Sequence, residues 1–157
     1  MWKDAYIESR VLSANPLELI CILYQVALDS VRDARRYLAA GDIMARSKAS
    51  CKAISAISEL DGSLNHSEGG AISRNLAELY QYIRQRLTEG NMFQKDAPLA
   101  EVESLLITLS ETWKAASIQQ TLQSSAGPQD GAVKAGAEFP AAAWRVSDGG
   151  SGHTWSA

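Results

Sequence analysis

The sequence is poor in the residues that most often carry chemistry, with two cysteines and two histidines among its 157 residues. Cys21 and Cys51 fall within separate helical patterns, while His66 and His153 fall outside them, so no zinc-ligand spacing forms. The Glu-x-x-His pair that builds di-iron sites inside helical bundles does not occur either. Neither metal nor cofactor is expected. A disulfide framework is not indicated, and both cysteines read as buried or half-buried thiols. No apolar run approaches the roughly 20 residues that cross a bilayer. The opening MWKDAYIESR lacks the charged-then-apolar order of a signal peptide, so the expected location is the cytoplasm. A dominant charge is also missing, because the formal net charge of -3 comes from interspersed acids and bases. No basic stripe is available to neutralise a row of phosphates, which argues against nucleic acid. The densest basic cluster, Arg32, Arg35 and Arg36, alternates with Asp29 and Asp33 at helical spacing and reads as a solvated face.

Catalytic constellations are equally thin. Gly69-Gly70 precedes a helical pattern, but the GxxxxGK[ST] and GxGxxG spacings are absent and no strand leads into it, so it reads as a helix reversal. Glu101, Glu103 and Glu111 share one helical pattern without a convergent acid partner, which leaves paired-carboxylate chemistry unsupported. The chain is expected not to be an enzyme.

What the sequence does have is amphipathic helix, four times over. Asn15 is placed as an N-cap, Pro16 as the first helical residue and Glu18 as the capping-box partner. Ile20, Tyr24, Ala27, Val31, Ala34 and Leu38 then recur at steps of four and three up to the exit at Gly41. Asp42 caps a second helix, whose stripe is predicted through Ile43, Ser47, Ser50, Ile54, Ile57 and Leu64, with Ala53, Ala56 and Leu60 beside it. NHSEGG (Asn65 to Gly70) reads as a turn, followed by a third stripe of Ile72, Leu76, Leu79, Ile83 and Leu87 that ends at Gly90-Asn91. Asp96 is predicted to cap a fourth helix with Pro98 in its first turn and Leu99, Val102, Leu106, Leu109, Trp113 and Ala116 along its stripe. Short connections between helices of similar length predict an all-α fold, an antiparallel up-down four-helix bundle. The expected organisation is a short N-terminal cap segment over residues 1–14, the bundle over 15–121 and a disordered tail over 122–157, where Ser, Gly, Ala and Pro erase any period.

Apolar material exceeds one inward stripe per helix: Leu17, Leu19, Ile22, Leu23 and Leu28 on the first, Tyr80 and Tyr82 on the third, Leu105 and Ile107 on the fourth. A broad core and an additional groove for a partner's amphipathic helix both account for it. Ahead of the first helix, Trp2, Tyr6 and Ile7 share one side of a turn too short to be stable alone, which therefore either packs on the bundle or acts as a replaceable plug.

The residues resemble a known family, the FliS flagellin-specific export chaperones. The resemblance runs from about Ala5 to Ser117 through Tyr6, SANPLELICILY (Ser13 to Tyr24), AAGDI (Ala39 to Ile43), KAISAISEL (Lys52 to Leu60), LNHSEGGAISRNLAELYQYIRQRL (Leu64 to Leu87) and ETWKA (Glu111 to Ala115). It implies a cofactor-free bundle that binds the C-terminal region of flagellin in the cytoplasm, blocks premature polymerisation and docks on the export-gate protein FlhA, with Tyr6 concerned in that docking. The resemblance further implies that the partner segment folds as it binds, displacing the N-terminal cap from an apolar surface. The residues expected to meet the partner are Trp2, Tyr6 and Ile7 in the cap and Ile57, Leu60, Leu76, Tyr80 and Ile83 on the second and third helices. The alternative is a helical adaptor or regulator for another export-linked protein; the free chain is expected as a monomer or weak dimer. Two departures from the family pattern are Ser50 and Ala56, where large aliphatic residues are usual, which predicts loose packing of the second helix.

Overall fold

The computed structural model describes residues 4–8 and 16–126. Residues 4–8 form a short helix, α1, followed by α2 (Pro16–Ala40), α3 (Ile43–Gly62), α4 (His66–Met92) and α5 (Asp96–Ser125). The four long helices close a ring in which α2 packs on α3 and α5, and α4 packs on α3 and α5. This is the up-down bundle that the stripes imply. The predicted cap Asn15 lies outside the described residues.

Local chemistry sets the reversals. Gly41 takes φ 73°, a left-handed conformation that favours glycine, and the following Asp42 N–H returns to the Tyr37 carbonyl at 3.0 Å. The Asp42 carboxylate accepts from the Ala45 N–H at 3.0 Å and so starts α3 as predicted. Asn65 accepts from the Glu68 N–H at 3.2 Å, which starts α4 one turn earlier than the reading of NHSEGG as a turn. The glycine pair still breaks the ladder, since Gly70 leaves helical geometry at φ 51° and ψ -123°, and Ser73 Oγ donates across that kink to the Asn65 carbonyl at 3.0 Å. At the fourth helix the cap position belongs to Lys95 and has no side-chain hydrogen bond. Asp96, expected there, is the first helical residue, and its carboxylate is engaged by Arg35. Helix α5 continues to Ser125, past the boundary expected at 121. Its last buried residue is Trp113, so the final turns project beyond the core and carry Ile118 and Leu122 exposed.

The interior follows the predicted stripe on α2, where Ile20, Tyr24, Ala27, Val31 and Ala34 are buried, as are Tyr80, Ile83 and Leu87 on α4 and Leu99, Val102, Leu106 and Trp113 on α5. Each large apolar side chain hidden in this way contributes about 1.5–3 kcal/mol. The second stripe needs correction. On α3 the buried line is Arg46, Ala49, Ser50, Ala53, Ala56, Ile57 and Leu60, while Ile43 is exposed and Ser47 and Ile54 are half-buried. The inward face is thus rotated from the predicted one toward the alanines. Small side chains here allow close packing, and α2 and α3 form the most extensive helix pair in the molecule. Ser50 and Ala56 are both within this buried line.

Polar groups hold the other seams. Across α2 and α5, Arg35 grips Asp96 with two bonds of 2.7 and 2.8 Å and Glu103 with a third of 2.6 Å, while Arg32 adds a 3.0 Å contact to Glu103. Arg35 holds both carboxylates below their usual range. Arg84 meets Asp61 across α3 and α4 at 3.1 Å, and Arg86 meets Glu101 across α4 and α5 at 2.7 Å. Buried Arg46 donates to the Asn91 side chain at 3.0 Å and to its carbonyl at 3.2 Å, placing a cation at the negative end of α4. In the centre, the buried Tyr24 and Tyr80 hydroxyls hydrogen-bond to each other across the bundle, and the Tyr24 ring stacks on Trp113 at 6.4 Å. Burial pushes the Tyr24 phenol up to about 12 and the Tyr80 phenol higher still.

Candidate functional site

The bundle surface carries a cleft of about 140 Å³ where α1 lies against α2 and α3. Ile7 reaches in from α1 and is half-buried, facing a wall that includes Ile22 and Val26 from α2. The row Ile22, Val26, Asp29 and Asp33 advances by four, three and four, a second seam on α2 beside the one that enters the core. Ile22 is itself buried, so the cleft has an apolar floor with a polar rim formed by Gln25, Asp29, Asp33 and Lys52. Tyr6, the neighbour of Ile7, is 64% exposed. Among the described helical residues 4–8, Ile7 is the half-buried one.

The residues predicted to meet a partner divide sharply. Trp2 lies outside the described residues. Ile7 lines the cleft, Tyr6 is exposed on the same short helix, and Leu76 is half-buried on α4. Ile57, Leu60, Tyr80 and Ile83 are fully buried and belong to the interior. In this conformation those four cannot touch a surface partner, because they form the inward seams of α3 and α4 that close the core. The excess apolar residues also sort mainly toward a broad core, with Ile22 and Leu28 buried and Leu17, Leu23, Leu105 and Ile107 packed against it. Tyr82 stays partly exposed and donates its hydroxyl to Glu101.

Residues that sequence reasoning did not single out for docking are Val26, Asp29, Asp33 and Lys52 around the cleft, and a second group at the opposite region of α3. There Ile43, Met44 and Cys51 line a shallow apolar surface, and Met92 and Phe93 are exposed at the end of α4, which Ser47 and Arg46 tie to α3 through Asn91. The i, i+4 pair Ile22 and Val26 was the available signal for the first group. Among the described residues there is no cluster of three or more His, Cys, Asp or Glu side chains arranged to hold a metal, and no helix is long and apolar enough to cross a membrane. The arrangement offers shape and apolar contact to a peptide segment.

Comparison with known proteins points to one family. The family described as flagellar protein FliS matches residues 2–120 of the chain. The chain is similar to the flagellar secretion chaperone FliS of Salmonella typhimurium, with 38% identity over 120 residues that cover 76% of this chain and 89% of that protein. It is also similar to the flagellar secretion chaperone FliSB of Pseudomonas aeruginosa, at 33% identity over 71% of this chain and 89% of that protein. The flagellar secretion chaperone FliS of Bacillus subtilis is 30% identical over 71% of this chain and 83% of its own length. A match spanning the bundle from the first residues to the end of α5's packed portion, with three relatives at this level, places the chain in the FliS family of flagellar proteins.

Proposed function

We propose that this protein is a cytoplasmic flagellar export chaperone that binds the C-terminal segment of flagellin, keeps it from polymerising early and delivers it to the export gate through FlhA. The observation that carries the reading is the cleft in which Ile7 of the N-terminal region faces Ile22 and Val26 of α2. Membership of a family whose curated relatives are flagellar secretion chaperones supports the same reading. Its action is stoichiometric binding, and no catalytic step is invoked. A partner segment that folds on binding must compensate its ordering entropy with apolar burial. Displacing α1 exposes a ready apolar surface and costs little, since only a few residues dock there.

The test is co-purification with full-length flagellin and with flagellin lacking its C-terminal segment. A 1:1 complex with the first and none with the second is the expected outcome. Equal retention of both, or of neither, transfers the bundle to the rival role of adaptor for another export-linked protein. The double substitution Tyr6→Ala with Ile7→Ala should leave the far-ultraviolet dichroism of the bundle intact while changing flagellin or FlhA affinity. Unchanged affinity for both would remove α1 from the mechanism.

A further inference from the structure

A second apolar surface lies on the first turns of α3 and shares no lining residue with the α1 cleft. Ile43, Met44, Ser47 and Cys51 form a shallow strip that follows the helix for about 12 Å, with Lys48 among them. Met44 is 78% exposed, and Ile43 is exposed beside it. Arg46 and Ser47 tie this part of α3 to the end of α4 through Asn91, and the next two residues there, Met92 and Phe93, are exposed as well. A single apolar side chain on a surface needs no explanation, but four large ones at one end of a bundle do.

The charges at this end are unequal. Glu89 is held by Arg86 at 2.7 Å and Asp96 by the two bonds from Arg35, which leaves Asp42, the cap of α3, as the carboxylate here without a basic partner among the described residues. Arg46, Lys48 and Lys95 have no carboxylate partner among the described residues. Arg46 is 3% exposed, and its Nε and Nη2 donate to Asn91, a neutral residue. The carbonyl end of α4 offsets part of that charge. Lys48 stands exposed on the strip itself, and Lys95 is exposed on the turn where its N–H returns to the Gly90 carbonyl at 3.1 Å. An apolar strip therefore lies in a positive field, within a chain whose formal charge is -3. We propose that this strip docks an acidic amphipathic helix of a partner protein, with the partner's apolar stripe on Ile43, Met44 and Cys51 and its Asp or Glu side chains toward Lys48. A strip that follows one helix axis fits a second rod laid along it better than a flat bilayer, and the pliant Met44 side chain adapts to such a rod. The proposal goes beyond the export role and does not require α1 to move.

Two synthetic helical peptides of about 18 residues test this, both with leucines at steps of three and four, one with a polar face of glutamate and the other with lysine. Each is titrated into the full-length chain, and binding is followed by the methyl NMR signal of Ile43, with Ile22 and Val26 reporting on the α1 cleft. At about 50 mM salt the glutamate peptide should bind about fivefold tighter or more and move Ile43 while leaving Ile22 and Val26 in place. Lys48→Glu should erase that preference, and Met44→Ser should weaken the glutamate peptide about threefold or more. Both positions are exposed, so both variants keep the fold. Equal affinity for the two peptides, binding by neither, shifts confined to Ile22 and Val26, or a preference that survives Lys48→Glu would overturn the proposal. Vesicles containing phosphatidylglycerol form the third arm. Binding to them without binding to the glutamate peptide would assign the strip to an anionic membrane and overturn the proposal as well. Flagellin takes no part in these titrations, so their failure leaves the chaperone role standing, and loss of that role leaves them unaffected.

Discussion

Replacing Ser50 with alanine should stabilise the protein. Ser50 is 1% exposed on the inward face of α3, and its Oγ has no hydrogen-bond partner among the described residues. A buried hydroxyl without a partner costs about 1–3 kcal/mol of lost hydration. Alanine removes that cost and adds about 0.5 kcal/mol of helix propensity, while the lost oxygen leaves a void smaller than a methyl group that returns part of the gain. The expected net stabilisation is about 1–2 kcal/mol, read as a urea midpoint raised by roughly 1 M at an unchanged slope. Two controls isolate the cause. Ser55→Ala, exposed on the same helix, should yield the propensity gain of about 0.5 kcal/mol and no more. Ser30→Ala removes a hydroxyl that already donates to the Val26 carbonyl at 2.7 Å, so it should fall near zero. If Ser50→Ala gains no more than Ser55→Ala, the Ser50 hydroxyl is satisfied in solution and the desolvation argument fails.

Other perturbations have equally definite signs. The raised phenols of Tyr24 and Tyr80 mean that the folded chain holds protons which the unfolded chain releases from about pH 10. Their contribution is complete below that pH and is lost above it, at up to about 1.4 kcal/mol per pH unit for each group; Tyr24→Phe with Tyr80→Phe should flatten this alkaline arm in pH-dependent denaturation. Gly90→Ala should destabilise by about 1–2 kcal/mol despite better propensity, because a Cβ there meets the buried Leu99 side chain at 2.8 Å and the Lys95 carbonyl at 3.2 Å. Gly62→Ala, with open space around it, should gain a few tenths of a kcal/mol in the same thermal melts. Arg35→Met should cost about 1 kcal/mol near neutrality, discounted for the exposure of Arg35 and Asp96. Asp96 and Glu103 have depressed folded-state pKa values, so their contribution holds above the usual carboxylate range and disappears as acid protonates them; the gap between wild type and variant should therefore close toward pH 2.

How much of this was legible in the sequence differed by helix. The α2 stripe announced itself through large residues at regular steps, and Gly41 with Asp42 fixed its end and the next start. On α3 the strongest apolar letters, Ile43 and Ile54, pulled the predicted face away from the alanines that line the interior beside Ser50. Hydropathy ranks those small residues weakly, yet closeness of approach to α2 is what they supply. Burial of Arg46 depends on Asn91, 45 positions away, and no local pattern carries that information. On α4 the composition of NHSEGG was rightly disruptive, but Asn65 caps early enough to enclose the disruption within a kinked helix. The site was half visible. Ile7 stood out because α1 is too short to be left unpacked, and Ile22 stood out as apolar surplus. Ile57, Leu60, Tyr80 and Ile83, expected to meet a partner, are buried in this conformation, because periodicity marks a buried seam without saying which interior it serves.

The ion pairs that bridge helices have a bearing on endurance. They join α5 to α2, α3 to α4 and α4 to α5, whereas the pairing of α2 with α3 draws on tightly nested small side chains. Brine should slacken the first three joints and leave the last one firm. The recess beside α1 is cut into that firm joint, so its walls should keep their shape in brine that loosens the rest.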